Sequence, residues 1–249
     1  MSHGSPGWIL FLAYVTSVVG SLIGLACAQR ARAAEERSHE VAWTALGAVA
    51  IGGIAIWLMH FIAMLDFTIG GSAVTYSVPL TVLSAVLSIL VVYLGLSIVT
   101  LARFTVIRLI CAGIVAGIGV TVMHYVGMAA VEFQGELSYN PALVAVSAGI
   151  AIAAATVAFW FTLRVESAGA MVLAGLAMGV AVTGMHYTGM AAASVRMDMS
   201  LAPSTGAGVF SVVFPVFTLS ALAVGGLLWA LMASVPDPID VRGHRPAPR

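Results

Sequence analysis

Seven stretches of this chain are apolar for 22 residues or more, and this feature limits the fold more than any other. About 20 apolar residues form a helix that crosses the hydrocarbon core of a bilayer. Because backbone amides in lipid must pair within their own segment, a helix is the expected structure for each stretch. The predicted spans are residues 7–28, 42–65, 78–101, 106–131, 141–163, 168–193 and 209–233. We therefore predict an all-α integral membrane bundle of seven transmembrane helices.

Composition agrees with a membrane protein and excludes several other classes. Apolar residues make up 61% of the chain and charged residues 8%, which is too little charge to cover a water-soluble fold of this size. The chain has no lysine and no net charge, so we expect a lipid bilayer around it and no nucleic-acid partner. Its two cysteines are too few for a disulfide framework.

The distribution of arginine predicts the orientation of the bundle. The connections after helices 1, 3 and 5 and the C-terminal tail hold nine arginines, whereas the opposite side holds only Arg196. Positive charge favours the cytoplasmic side, so the N-terminus is predicted outside and the C-terminus inside. Residues 1–7 then form a short outer N-terminus. Residues 234–249, rich in proline and charge, are predicted to be a disordered cytoplasmic tail.

Three short strings repeat one pattern, which is methionine, histidine, an aromatic residue, any residue, a small residue and methionine. They occupy 59–64, 123–128 and 185–190, near the outer ends of helices 2, 4 and 6. The histidines are 64 and then 62 residues apart, which indicates an internal repeat. We predict three helical hairpins and a final helix, with boundaries at about 8–66, 78–131, 141–193 and 209–233.

The similarity between the repeats extends beyond the strings. Seven residues before each histidine stands a glycine, namely Gly53, Gly117 and Gly179. Eleven residues before each histidine stand Val49, Gly113 and Gly175. Glycines four residues apart allow helices to approach closely in lipid.

The repeated string carries metal-binding side chains at helical spacing. A histidine and the methionine four residues later share one helix face, and the preceding methionine lies on the flank. The candidate ligands are His60, His124, His186, Met59, Met64, Met123, Met128, Met185 and Met190. Imidazole with thioether suits Cu(I), and Cu(II) where nitrogen dominates. Zinc prefers thiolate and carboxylate, and magnesium and calcium prefer oxygen.

Several other side chains are candidates for supporting roles. The hydroxyls of Tyr125 and Tyr187 are placed to orient a histidine or a bound diatomic molecule. Asp66 is a further candidate at the outer end of helix 2. We interpret two methionines in the last outer loop, Met197 and Met199, as ordinary loop residues, with a role in passing metal inward as the alternative.

Three alternatives remain open on these residues. Haem takes histidine and methionine as axial ligands, although three equivalent histidines fit two axial positions poorly. A copper transporter needs a polar route inward, and the inner halves of helices 2, 4 and 6 offer mainly glycine, alanine, valine and isoleucine. A structural module would instead bond the histidines between helices.

Residues 185–188 read Met-His-Tyr-Thr, and the chain from about 8 to 233 resembles the MHYT domain family. The second copy reads Met-His-Tyr-Val and the first Met-His-Phe-Ile. The resemblance implies a sensor domain of the bacterial inner membrane. It also implies one or two copper ions held by the motif histidines and methionines, which sense oxygen, carbon monoxide or nitric oxide.

Members of this family are often joined to cyclic-di-GMP or DNA-binding output domains, whereas this sequence ends after a 16-residue tail. The sequence contains no phosphate-binding loop, paired-carboxylate site or nucleophilic serine setting. We therefore expect a non-enzymatic sensor of a diatomic gas or of redox state that signals through a separate cytoplasmic partner.

Overall fold

A computed structural model of the protein describes residues 7–67, 69, 74–101, 104–198, 200 and 206–234. In this part of the chain seven helices are long and apolar enough to cross a membrane, which confirms the predicted all-α fold class. They are α1 Gly7–Ala33, α2 Arg37–Met64, α3 Val78–Thr100, α4 Val106–Ala129, α5 Pro141–Arg164, α6 Ala168–Ala192 and α7 Val209–Ala233. Apart from Gly7 and Ser234, the predicted N-terminal segment and tail lie outside the described residues.

Local sequence explains where three of these helices begin. The side chains of Thr105, Asn140 and Ser167 accept hydrogen bonds from backbone amides in the first turns of α4, α5 and α6. Such caps satisfy amides that have no partner within the helix. The C-terminal end of α1 lies five residues beyond the predicted end, so that the helix includes Arg30 and Arg32 and ends at Ala33. Both arginines bond carbonyl oxygens of other helix ends.

The first six helices close into a ring. Each of α1 to α5 packs against the next helix in the chain, and α6 packs against α1. The motif helices α2, α4 and α6 therefore alternate with α1, α3 and α5. Helix α7 lies outside the ring, mainly against α2 and α1. Three hairpins and a peripheral helix account for this arrangement.

Helix α2 differs from the other motif helices, because Val49–Leu58 is π-helical. A π-helical stretch adds a residue relative to α-helical register and occurs often near functional sites. The close helix contact consequently lies at Gly52, where an added Cβ would be 2.7 Å from the backbone oxygen of Ser88. At Gly53, the residue aligned by sequence with Gly117, an added Cβ would be 3.5 Å from a side-chain carbon of Ile89. The repeat is thus offset by one residue in α2.

Short strands join the connections at the face where α2, α4 and α6 end. They are β1 Thr75–Tyr76, β2 Val131–Glu132, β3 Gly135–Tyr139, β4 Ala193–Met197 and β5 Ala207–Gly208. They form an antiparallel sheet of order β2-β1-β5 and a separate β3–β4 ribbon. The apolar pattern of the spans carries no information on these pairings. We call the two sheets the cap; its assignment to the outer side of the membrane stays a prediction.

Candidate metal centre

The last two turns of α2, α4 and α6 bring the three motif histidines to one point. His60, His124 and His186 are each at most 2% exposed. Their ring nitrogens supply one potential ligand atom each, and these three atoms all lie within 4.8 Å of one another. Three imidazoles, one from each copy of the motif, therefore converge at one place in the structure.

The Nδ1 nitrogens face one another across the centre of the ring of helices. His60 Nδ1 lies 3.0 Å from His186 Nδ1 and 3.2 Å from His124 Nδ1. The ring centroids are separated by 5.0, 5.0 and 5.1 Å, with interplanar angles of 80°, 78° and 85°. Nearly equal distances and angles give the three histidines approximate threefold symmetry. We call these three residues the histidine triad.

This arrangement fits a small cation between the three nitrogens. A neutral imidazole has one nitrogen that accepts and one that donates, so three converging Nδ1 atoms cannot all be satisfied by hydrogen bonds among themselves. A single cation would accept all three lone pairs. Nitrogens about 2.0–2.1 Å from one ion in a common plane stand about 3.5 Å apart. Because the two spacings from His60 are 3.0 and 3.2 Å, each would need to open by only a few tenths of an ångström.

The Nε2 nitrogens of two of the rings point away from the centre and have no hydrogen-bond partner within the described residues. These two atoms, His60 Nε2 and His124 Nε2, are both buried. Instead they face the backbone of a neighbouring motif helix, at Gly127 and Gly189 respectively. Backbone carbonyl groups in the middle of a helix already accept hydrogen bonds within the helix. Steric contact with the glycine therefore positions each of these two rings.

A cavity of about 60 Å³ lies against the triad. This volume exceeds that needed for one water-sized molecule. Apart from the triad, its walls are apolar side chains of α2 to α6, including Ala151, Ala155 and Ala158 of α5. The methionine before each histidine also lines it, namely Met59, Met123 and Met185.

The second methionine of each motif lies one turn further along its helix. Met64 and Met128 are fully buried and Met190 is half-buried. Met64 also lines a separate pocket beneath the cap with Tyr76. These three methionines do not line the cavity against the triad. The ligand role of all six motif methionines stays a prediction, and the cavity distinguishes the set that precedes the histidines.

The predicted supporting residues contact other partners. The hydroxyl of Tyr125 lies 3.2 Å from Ser147 Oγ in α5, a partner that the sequence did not indicate. The hydroxyl of Tyr187 is buried, with no hydrogen-bond partner within the described residues. Asp66 follows the last turn of α2, where its backbone amide donates to the Ala63 carbonyl oxygen, 3.4 Å away. Each tyrosine ring packs edge-on against the histidine before it. Both tyrosines thus support the histidines by ring packing.

Of the two loop methionines, Met197 pairs with Gly135 in the β3–β4 ribbon, and Met199 lies outside the described residues. Cys27 is buried and Cys111 is exposed. Neither cysteine belongs to the group of metal-binding side chains formed by the triad.

Comparison with known proteins agrees with this architecture. The MHYT family model, described as a bacterial signalling protein N-terminal repeat, matches residues 53–112 and 117–175. The two matches begin seven residues before His60 and seven before His124. No solved structure matches the chain.

Three relatives are similar to this chain over part of their own length. The bifunctional diguanylate cyclase/cyclic di-GMP phosphodiesterase MucR of Pseudomonas aeruginosa is 33% identical over 232 residues, which cover 90% of this chain and 33% of MucR. The cyclic di-GMP phosphodiesterase NbdA of the same species is 35% identical over 65% of this chain and 21% of its own length. The signaling protein YkoW of Bacillus subtilis is 32% identical over 62% of this chain and 20% of its own length. The chain thus spans a third or less of these relatives.

Proposed function

Because this chain belongs to the MHYT family of signalling proteins, we propose that it is a membrane sensor domain whose histidine triad holds a copper ion. The signal is a diatomic gas or a change of redox state. The observation that carries the proposal is the convergence of three buried imidazoles, in which His60 Nδ1 lies within hydrogen-bonding distance of both His124 Nδ1 and His186 Nδ1.

The donor set suits copper better than other common metals. His60, His124 and His186 would supply nitrogen, and the methionines beside them would supply sulfur. Neutral nitrogen and thioether ligands favour Cu(I), and they avoid placing extra negative charge within the membrane. Bound copper would supply a redox couple and an open position for a diatomic ligand.

The surroundings of the triad suit a small apolar signal. Its cavity of about 60 Å³ has apolar walls apart from the imidazoles. Away from the imidazoles, water in such a space lacks the two to four polar partners that it needs, whereas a diatomic gas needs none. The triad also joins three helices at one point, so a change in nitrogen spacing must move α2, α4 and α6 relative to one another.

The likeness to longer signalling proteins supports an output on the cytoplasmic side. Two relatives are named for the synthesis or hydrolysis of cyclic di-GMP, and this chain covers at most a third of either. We infer that the chain resides in the bacterial inner membrane and acts on a cytoplasmic signalling partner. The surface with Arg30 and Arg32, where α1, α5 and α7 end, is where such a partner would bind.

The geometry favours an ion over haem and sensing over transport. Two imidazoles that ligate one haem stand on opposite faces of the macrocycle, whereas His60 and His186 are 3.0 Å apart at Nδ1. A transport route would need polar side chains on the inner side of the triad. The described walls of the cavity there are alanine, valine, isoleucine, methionine and phenylalanine.

Replacing the histidines tests the proposal directly. The variant His60→Ala/His124→Ala/His186→Ala should lose stoichiometric copper, measured by metal analysis after purification and by competition with a Cu(I) chelator. His39→Ala is the matched control, because His39 is exposed at the start of α2. Undiminished copper in the triple variant would reject the site. Proteoliposome uptake and an absorption spectrum would detect transport or haem.

A further inference from the structure

Two glycines of the repeated motif lie directly against imidazole rings from the preceding motif. A Cβ added to Gly127 in α4 would stand 2.6 Å from His60 Nε2 and 3.1 Å from its Cδ2. A Cβ added to Gly189 in α6 would contact His124 Nε2 and stand 2.9 Å from its Cδ2. Real Cβ atoms essentially never approach other atoms within 3.0 Å. Any side chain at either position must therefore displace a ring.

Apart from the cavity against the triad, the His60 ring is closely confined. On its inner edge, Nδ1 already lies 3.0 Å from His186 Nδ1 and 3.2 Å from His124 Nδ1. The Phe61 ring stands edge-on to it, with a centroid distance of 5.2 Å. The residue is 1% exposed, so no solvent space is available. Pushing this ring inward would shorten contacts that are already close, and turning it would remove its Nδ1 from the centre.

The two contacts follow the same direction around the ring of helices. The α2 histidine rests on the α4 glycine, and the α4 histidine rests on the α6 glycine. The α4 and α6 motifs thus each provide one imidazole to the centre and one flat backbone surface for the imidazole of the preceding motif. This link explains why a glycine, which costs stability inside a helix, stands in the middle of α4 and α6 at these positions.

We propose that Gly127 and Gly189 are positioning residues, whose missing side chains set the convergence of the histidine triad. The effect on metal binding rests on the proposed copper site, whereas the effect on the rings does not. The expected loss of copper affinity is about 10- to 100-fold, the range typical of residues that hold metal ligands in place.

The matched control is Gly184 in α6, because an added Cβ there has nothing within 4 Å. Gly184→Ala should leave copper affinity unchanged, and its thermal midpoint should stay equal or rise. Gly127→Ala and Gly189→Ala should both lower Cu(I) affinity in chelator competition. Wild-type affinity in both variants would overturn the proposal.

A second measurement, on metal-free protein, separates this proposal from the copper site. Long-range ¹H–¹⁵N spectra of histidine side chains should show His60 shifted in Gly127→Ala and His124 shifted in Gly189→Ala, with neither shifted in Gly184→Ala. Gly127→Ala should lower the thermal midpoint of the wild-type protein, because the added methyl group clashes with the His60 ring. In a His60→Ala background the ring is absent, so Gly127→Ala should not lower the thermal midpoint. If wild-type protein binds no copper but these results hold, only the proposed function fails. Unshifted rings would reject the positioning role itself.

Discussion

The guanidinium of Arg30 in α1 donates a hydrogen bond to the backbone carbonyl oxygen of Ser234, 2.8 Å away at the end of α7. A second nitrogen of the same group lies 3.4 Å from the carbonyl oxygen of Leu231. The last carbonyls of a helix have no partner within it, and a cation there also interacts favourably with the helix dipole. Arg30 therefore fastens the peripheral helix to the ring of six.

Removing this contact should loosen the end of α7. We expect Arg30→Ala to lower the free energy of unfolding by about 1–2 kcal/mol, because a partly buried charged hydrogen bond is lost. Hydrogen exchange should rise at residues 230–234. The control is Arg37→Ala, whose guanidinium pairs with Glu40 at 2.9 Å on the exposed surface. Surface ion pairs contribute little, so the two variants should differ; equal effects would contradict the role of Arg30.

The offset in α2 gives a prediction on two adjacent glycines. Gly52→Ala should lower the free energy of unfolding by about 1–3 kcal/mol, because the new methyl group meets rigid backbone of Ser88 and Ile89. Gly53→Ala should be neutral or stabilising, since it meets only the movable side chains of Ile89 and Val49 at ordinary contact distance. Thermal unfolding of both variants in the same detergent compares them. A larger loss for Gly53→Ala would contradict the π-helical register.

These glycines also show where sequence reasoning succeeds and where it ends. The spans are predictable because a bilayer demands a fixed length of apolar helix, and the meeting of the histidines is predictable from three equivalent copies at one depth. The one-residue offset of the glycine contact in α2 is not predictable from the sequence, because it depends on contacts with α3. Ser88 in α3 donates a hydrogen bond of 2.7 Å to the Gly52 carbonyl oxygen within the π-helical stretch. A sequence spacing of seven residues cannot show that bond.

The strand pairings of the cap could not be predicted from the sequence either. Its strands contain two to five residues each, and their partners are distant in sequence, as with Thr75 and Gly208 in β1 and β5. Short pairings of this kind depend on where the helices place their ends. The contact of His60 with Gly127 is likewise visible only after α2 and α4 are packed together.

The cap should open at high pH through Tyr76. Burial raises the pKa of this hydroxyl to about 12 from its usual value of 10.0, because the charged form is disfavoured away from water. Because the pKa of Tyr76 is higher in the folded state than in the unfolded state, burial of its neutral hydroxyl contributes to folding stability. This contribution is fully present below pH 10 and is lost as pH rises through about 12. Absorbance titration of wild type minus Tyr76→Phe should reveal this late ionisation. A difference curve centred near 10 would show that the hydroxyl is solvated.

The two sets of motif methionines lie in different surroundings and should affect copper differently. The set before the histidines lines the cavity, and consists of Met59, Met123 and Met185. The set four residues after the histidines does not line it, and consists of Met64, Met128 and Met190. Leucine keeps the volume of methionine but lacks its sulfur, so triple substitution of either set should cost less than about 1.5 kcal/mol per residue in stability.

We expect the triple leucine variant of the cavity-lining set to lower Cu(I) affinity on the order of tenfold, because soft thioether donors are lost next to the triad. Its affinity for Zn(II), which depends on the imidazoles, should change less. The other triple variant is the control and should keep Cu(I) affinity near the wild-type value. A larger loss in the control would place the sulfur ligands on the cap side of the rings. No loss in either variant would make all six methionines packing residues and leave the imidazoles as the ligands.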